Sequence, residues 1–315
     1  RAETHALFWL TLAAHAIAWL VARLNRGVDA SYREWLLLVW LSLITHPLLD
    51  AFTVYGTQLW LPFSDYPVGI GSVFIIDPLV TVPMIVGLIA WLRWRQNATD
   101  RGMRWIRAGL IASTLYLGWT VAAQSHVEGE VRRSIAATPL ESRRVLVTPA
   151  PLNSLLWRVI VMDDDAYHEG FRSLFDKSVP IPLERHASDP NLLDSLQDDR
   201  TVRRLARFSK GFYSVRMANR ELRVADGAPG TFSQLLGAVT PAQAAPVGSV
   251  DATRPIVMTD LRMGQTPWFV FSFVVAEHGG KGITAVPNRQ IASARPPVTA
   301  LPWLWHRIWD ENATY

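Results

Sequence analysis

Up to Gln124, long apolar stretches are separated by short clusters of charge, and from Ser125 onward Asp, Glu, Lys and Arg are spread throughout. Four stretches, residues 6–24, 35–54, 70–92 and 105–123, approach the ~20 residues a helix needs to cross a ~30 Å hydrocarbon layer. The loops between them are too short to hold the layers that would cover four buried helices of a soluble core. The pattern therefore predicts a membrane helical bundle over residues 1–124 and an extramembrane domain over 125–315. Trp9, Trp19, Trp35, Trp60, Trp94 and Trp105 lie near the ends of these stretches, where an amphipathic ring favours the membrane interface.

From Arg144 the period changes. Residues 145–147, 157–162, 167–175, 212–215, 221–224, 256–261 and 268–275 are short, rich in β-branched and aromatic side chains, and bounded by Pro, Gly and Asp. They predict an antiparallel sheet, with helices at 202–208 and 188–199. The fold class is thus a bundle of about four spans followed by an α+β domain. Residues 231–252, rich in Ala, Gly, Pro and Gln, read as a loop or insertion. The tail from Pro296 brings Trp303, Trp305 and Trp309 together with Arg307, as a short amphipathic segment at the lipid interface would.

Charge sets an orientation. The first loop holds Arg23, Arg26 and Arg33, and the third holds Arg93, Arg95, Arg101, Arg104 and Arg107, whereas residues 51–69 have neither Lys nor Arg. By the positive-inside rule the first and third loops face the cytoplasm. The second loop and the domain then lie outside it, on the periplasmic side of a multi-pass bacterial inner (plasma) membrane protein. The net charge of +4, carried by short loops rather than by one basic face, argues against nucleic acid as a partner. The absence of cysteine excludes disulfides, thiolate nucleophiles and thiolate-bound zinc, and leaves any metal to His, Asp and Glu. The chain opens on Arg1 rather than Met and enters an apolar helix at once, so a further N-terminal piece is expected before it.

Ionisable side chains inside a span are costly and mark function by default. Here they are His5, His15, His46, Asp50 and Asp77. At ~1.5 Å per residue above the loop arginines, His5, Asp50 and Asp77 come to nearly one level, His46 about one turn lower, and His15 deep in the layer. His46 and Asp50 are four residues apart, on one helix face. They read as two ligands of a divalent metal or as a helix-end hydrogen bond. Pro47 and Pro78, directly after His46 and Asp77, put both polar sites where a helix loses a backbone bond. His15, without an obvious partner, fits a histidine bonded to a backbone carbonyl. His126 and Glu130 repeat the four-residue spacing on a more solvated face. In the domain, Asp260 and Arg262 form either an anion-recognition surface or an internal ion pair pinning a hairpin. Asp163, Asp164 and Asp165 read as a solvated turn rather than a calcium site.

Several stretches together resemble the YdjM-like, LexA-regulated family of inner-membrane metal-dependent hydrolases. They are Arg1-Ala-Glu-Thr-His5-Ala, Thr45-His-Pro-Leu-Leu-Asp50, Thr57-Gln-Leu-Trp-Leu-Pro-Phe63, Phe74-Ile-Ile-Asp-Pro78, Thr148-Pro-Ala-Pro-Leu-Asn153 with Leu156-Trp-Arg158, Glu169-Gly-Phe-Arg-Ser-Leu-Phe-Asp176, and Thr259-Asp-Leu-Arg-Met-Gly264. The resemblance implies that His5, His46, Asp50 and Asp77 are the family's polar positions, with a divalent metal, zinc or manganese, between them and with Asp50 and Asp77 as the catalytic carboxylates. Glu3 and Ala6 depart from the family's usual small or hydroxyl residues, and its upstream His and Pro-Asp-Leu-Asp segment would precede Arg1. The His-x-x-x-Asp element is also similar to that of zinc phospholipases C, which points to phosphoesters. The function expected is hydrolysis of a lipid or envelope-borne ester or phosphoester by metal-activated water. The alternative is a non-enzymatic membrane protein whose polar residues lock helices and whose outer domain binds a partner.

Overall fold

The computed structural model describes residues 3–94, 99–218, 253–280, 282–291 and 300–313. The strand expected at 221–224 and the loop expected at 231–252 lie outside the described residues. A 3-10 turn at Glu3–His5 leads into α1 (Leu7–Leu24), α2 (Tyr32–Asp50), α3 (Pro78–Trp94) and α4 (Thr99–Ile135). By length and composition, α1 and the Asp100–Ile135 stretch of α4 can each cross a membrane, and α3 is apolar but shorter, at 17 residues.

The helices pack as two hairpins, α1 with α2 and α3 with α4. In the first, Ala14, Ala18 and Val39 form the buried centre, and the Trp40 indole donates to Thr11 Oγ1 at 3.1 Å. Ser31 starts α2 with a capping box, its hydroxyl accepting from the Glu34 amide while Glu34 accepts from the Ser31 amide. In the second, small residues let the backbones touch: a Cβ on Gly87 would stand 2.8 Å from the Trp105 carbonyl, and Ser113 donates to the Val80 carbonyl at 2.6 Å.

Residues 70–77 were expected to be helical, but they form an irregular, bent segment along α4 and the helix begins only at Pro78. Asp77 and Pro78 form a standard helix start, since the Asp77 carboxylate accepts from the Leu79 amide at 2.9 Å and proline at the first helical position gives up no bond. Higher up, Thr120 donates to Ser72 Oγ, and Gln124 donates to the carbonyls of Ile70 and Gly71. Carbonyls of this irregular segment are thus satisfied by protein.

The composition shift at Ser125 falls inside α4, which continues to Ile135. Its second part, through Ala123, Val127, Val131 and Ile135, packs against Val147, Trp157, Val159 and Val161 of an antiparallel sheet ordered β1 (Val145–Pro149), β2 (Leu156–Met162), β3 (Ala166–Ser173), β4 (Glu184–Ala187). Every residue of β2 but the last is buried, because α4 covers one face and later elements cover the other.

A second antiparallel sheet, ordered β10 (Gly282–Gln290), β9 (Ser272–Gly279), β6 (Arg254–Asp260), β5 (Tyr213–Met217), is covered by a 3-10 segment at Pro190–Leu196 and by α5 (Arg200–Phe208). The small hairpin β7 (Gly264–Gln265) and β8 (Trp268–Phe269) joins the sheets. Leu261 and Phe269 pack with Ile160 and Tyr167, and Arg158 of β2 pairs with Glu169 of β3 while donating to the Leu261 carbonyl. The last helix, α6 (Ala300–Trp309), packs on Ala150 and Leu156 through Leu304 and Ile308.

Candidate metal centre

The C-terminal end of α2 carries His46 and Asp50 on one face, and the turn before α1 brings His5 across to them. His5 Nε2 lies 3.5 Å from Asp50 Oδ2, and His46 Nε2 lies 3.9 Å from the same oxygen. The two imidazole centroids are 4.6 Å apart, with planes tilted by 60°. One ligand atom from each of the three residues falls within 4.8 Å of the others. A tetrahedral site with bonds of ~2.1 Å separates its ligand atoms by about 3.4 Å, so a small contraction of side chains would suffice to hold a divalent cation. The donor set of two imidazoles and a carboxylate suits zinc or a similar first-row metal.

Local backbone fixes these positions. Leu7 donates to the Leu59 carbonyl at 3.0 Å, which ties the start of α1 to the loop that follows α2. That loop closes on itself through the Thr57–Val68 bridge, with Gly56 at a φ of 94° that side chains rarely adopt. Thr53 caps α2 by donating to the Asp50 carbonyl at 2.7 Å. Thr4 Oγ1 lies 2.9 Å from His5 Nδ1, a contact that orients the ring with Nε2 towards Asp50. His5 is largely buried, whereas the His46 side chain is 58% exposed, so the group opens to its surroundings on the His46 side.

Asp77 is held elsewhere and is not part of this group. Its buried carboxylate accepts from the Leu79 amide and, at 2.8 Å, from the Tyr116 hydroxyl, which lies 2.7 Å from Ser154 Oγ. The expectation that Asp50 and Asp77 share a level rested on counting helical rise from the two arginine loops as though both loops stood at one depth. Ala51, next to Asp50, accepts from Ile70, whose own carbonyl is bound by Gln124. Tyr116 is eight residues before Gln124 on α4, which puts Asp77 about 12 Å further down the bundle. Tyr116 and Ser154 were not singled out in the sequence. A tyrosine within an apolar stretch was the available signal.

The other polar residues have local partners. His15 Nδ1 lies 3.0 Å from the Thr11 carbonyl, the backbone contact expected of it. His126 stands 3.8 Å from Glu130 and is exposed, while Glu130 also accepts from the buried Arg172. In the acidic turn Asp164 pairs with Arg143, and Asp165 with Arg185. Asp260 and Arg262 form an internal ion pair, only 5% and 1% exposed, with the guanidinium donating to both carboxylate oxygens. The spare arm of Arg262 donates to the Val54 and Tyr55 carbonyls, just after the Asp50 turn. Beside it Lys210 donates to the Gly69 carbonyl at 3.2 Å, and burial together with the Arg262 charge holds its ammonium pKa below the ordinary lysine value. The sheet-bearing region thus grips the loop that follows the metal group.

Fold and site together describe a membrane helical protein with an attached α+β domain and a His/His/Asp cluster at the end of its second helix. Residues 1–127 match the family model described as YdjM inner membrane protein, so the helical region is similar to that family. That similarity and the two long apolar helices support an inner-membrane location in a lipid bilayer. Neither the curated proteins nor the solved structures contain a match to this chain.

Proposed function

We propose that the protein is a membrane-bound, metal-dependent hydrolase acting on a lipid or envelope-borne ester or phosphoester. The observation that carries this reading is the convergence of His5, from the turn before α1, with His46 and Asp50 at the end of α2. In it, all four helices cross the membrane, α3 being completed by residues 70–77. The arginine loops face the cytoplasm, and the domain from Ser125 onward lies on the periplasmic side. His5 and His46 would hold the cation through Nε2, and Asp50 through one carboxylate oxygen. A bound divalent ion would supply Lewis-acid activation of water near neutral pH. The second oxygen of Asp50 could then accept a proton, and the exposed side of His46 gives substrate its approach. Asp77 has no part in the metal group on this reading. Its bonds to α3, Tyr116 and, through Tyr116, Ser154 favour a locking role, the one point at which a purely structural reading is supported.

The test is hydrolysis of p-nitrophenyl esters and bis-p-nitrophenyl phosphate by the purified full-length chain supplied with zinc or manganese. The rate is expected to vanish with EDTA and to fall at least about 100-fold in Asp50→Asn, with little change in melting temperature. Equal rates in wild type and Asp50→Asn would remove the hydrolase.

A further inference from the structure

We infer that one edge of the second domain is itself embedded in the membrane leaflet on its side, where it binds lipid as a monotopic surface independently of the metal group. The anchor for this inference is the level at which the domain meets α4. Gln124 donates to the Val147 carbonyl on β1 at 2.8 Å, but the turn between β1 and β2 descends further, and Ser154 Oγ reaches Tyr116 at 2.7 Å. Eight residues of α4 separate those contacts, about 12 Å along the axis. At the lower level α4 still exposes Leu115 and Trp119, and the adjacent irregular segment exposes Ile75 and Ile76. Apolar surface of that kind, on a helix able to cross the bilayer, faces acyl chains. The β1–β2 turn therefore lies at the same depth as lipid-facing side chains.

What the turn carries matches that depth. Leu152, at its tip, is 44% exposed. The end of β3 lies beside it, since Leu174 donates to the Leu155 carbonyl, and α6 packs under the same edge through Leu304 and Ile308, with Ser173 donating to the Ile308 carbonyl. Phe175, Trp305 and Trp309 then stand outward: Phe175 and Trp309 are stacked at 5.0 Å, Trp305 meets Trp309 edge-on at 5.9 Å, and all three rings are more than half exposed. The one arginine of α6 does not charge this face, because Arg307 is buried against Asp176. Outward tryptophans on an amphipathic helix, continuous with a lipid-facing span, fit the headgroup and acyl boundary. A water-facing surface has no such need for three adjoining aromatic rings.

Because the chain has no cysteine, single reporters can be placed cleanly. Leu152→Cys, Trp305→Cys and a reference, Glu184→Cys on the exposed β4, would each carry a nitroxide in the full-length protein in nanodiscs of phosphatidylethanolamine and phosphatidylglycerol. Accessibility to dissolved oxygen is compared with accessibility to a water-soluble nickel chelate. Positions 152 and 305 are expected to lose nickel access and keep oxygen access, while 184 stays open to nickel. Nickel access at 152 and 305 equal to that at 184 would overturn the inference by placing the edge in water. Loss of both reagents there would overturn it in favour of a second copy covering the edge. Trp305 has an exposed side chain, so its variant carries the test if Leu152→Cys fails to fold.

Discussion

Arg158→Met is expected to destabilise the second domain by about 3–5 kcal/mol, the scale of removing one partner from a buried ion pair. Arg158 and Glu169 are almost wholly buried between β2 and β3, and they serve more than each other. Arg158 donates to the Leu261 carbonyl at 2.6 Å, and Glu169 accepts from the Thr266 amide and hydroxyl. The pair therefore joins the first sheet to the segment leading out of the second. Burial alone would raise the Glu169 pKa. The Arg158 charge and the Thr266 bonds outweigh it and hold the pKa below the usual glutamate value. With the folded value depressed, this stabilisation is present above the unfolded pKa near 4.5 and is lost as pH falls through the folded one. In Arg158→Met the guanidinium no longer opposes burial, so the Glu169 pKa rises and protonation of Glu169 relieves its buried charge. The loss of stability should therefore be largest near neutral pH and shrink as pH falls. Chemical unfolding across pH 4–8 checks both effects. The double variant Arg158→Met/Glu169→Leu should recover most of the loss, since no charge is left buried. A single variant as stable as wild type would contradict the bridging role.

Arg262→Ala is expected to produce a loss of similar size and to loosen the metal group from a distance. Truncation strands the buried Asp260 carboxylate, removes the guanidinium from over the Phe208 ring, and releases the carbonyls of Val54 and Tyr55. Those carbonyls follow Asp50 by four and five residues, so the loop that sets the end of α2 loses its hold on the domain. Partners that fix ligand orientation are typically worth 10- to 100-fold in metal affinity. Zinc binding should therefore weaken about tenfold or more. Arg262→Lys keeps the charge but not the planar fork, and should fall between. Unchanged zinc affinity in Arg262→Ala would show that the domain grips the loop without influencing the group.

The parts of this molecule legible in its sequence are those governed by apolar period. The helical stretches and most strands follow from it directly. The start of α3 does not, because Ile70, Ile75 and Ile76 are apolar yet outward-facing in a bent segment, and hydropathy counts them as helix. The chemistry of Asp77-Pro78 as a helix start was present and outweighed by that count. In the structure Asp77 bonds Tyr116 of α4 and does not join the histidines. Strand β10 was missed for the opposite reason. It is an edge strand, largely exposed and broken around Pro287, with little alternation to read. His46 and Asp50 were legible as a pair from spacing alone. His5 was not tied to them by spacing, because its approach depends on how α1 packs against α2 and on the Leu7 bond to Leu59.

The most direct test of the metal centre is the metal content of purified full-length protein, read by elemental analysis alongside its melting temperature. The wild type is expected to retain zinc or manganese. His5→Ala, His46→Ala and Asp50→Asn should each lose most of it, and Asp77→Asn should keep the metal while melting at lower temperature. Equal metal content in the wild type and in the His5, His46 and Asp50 variants would contradict the site.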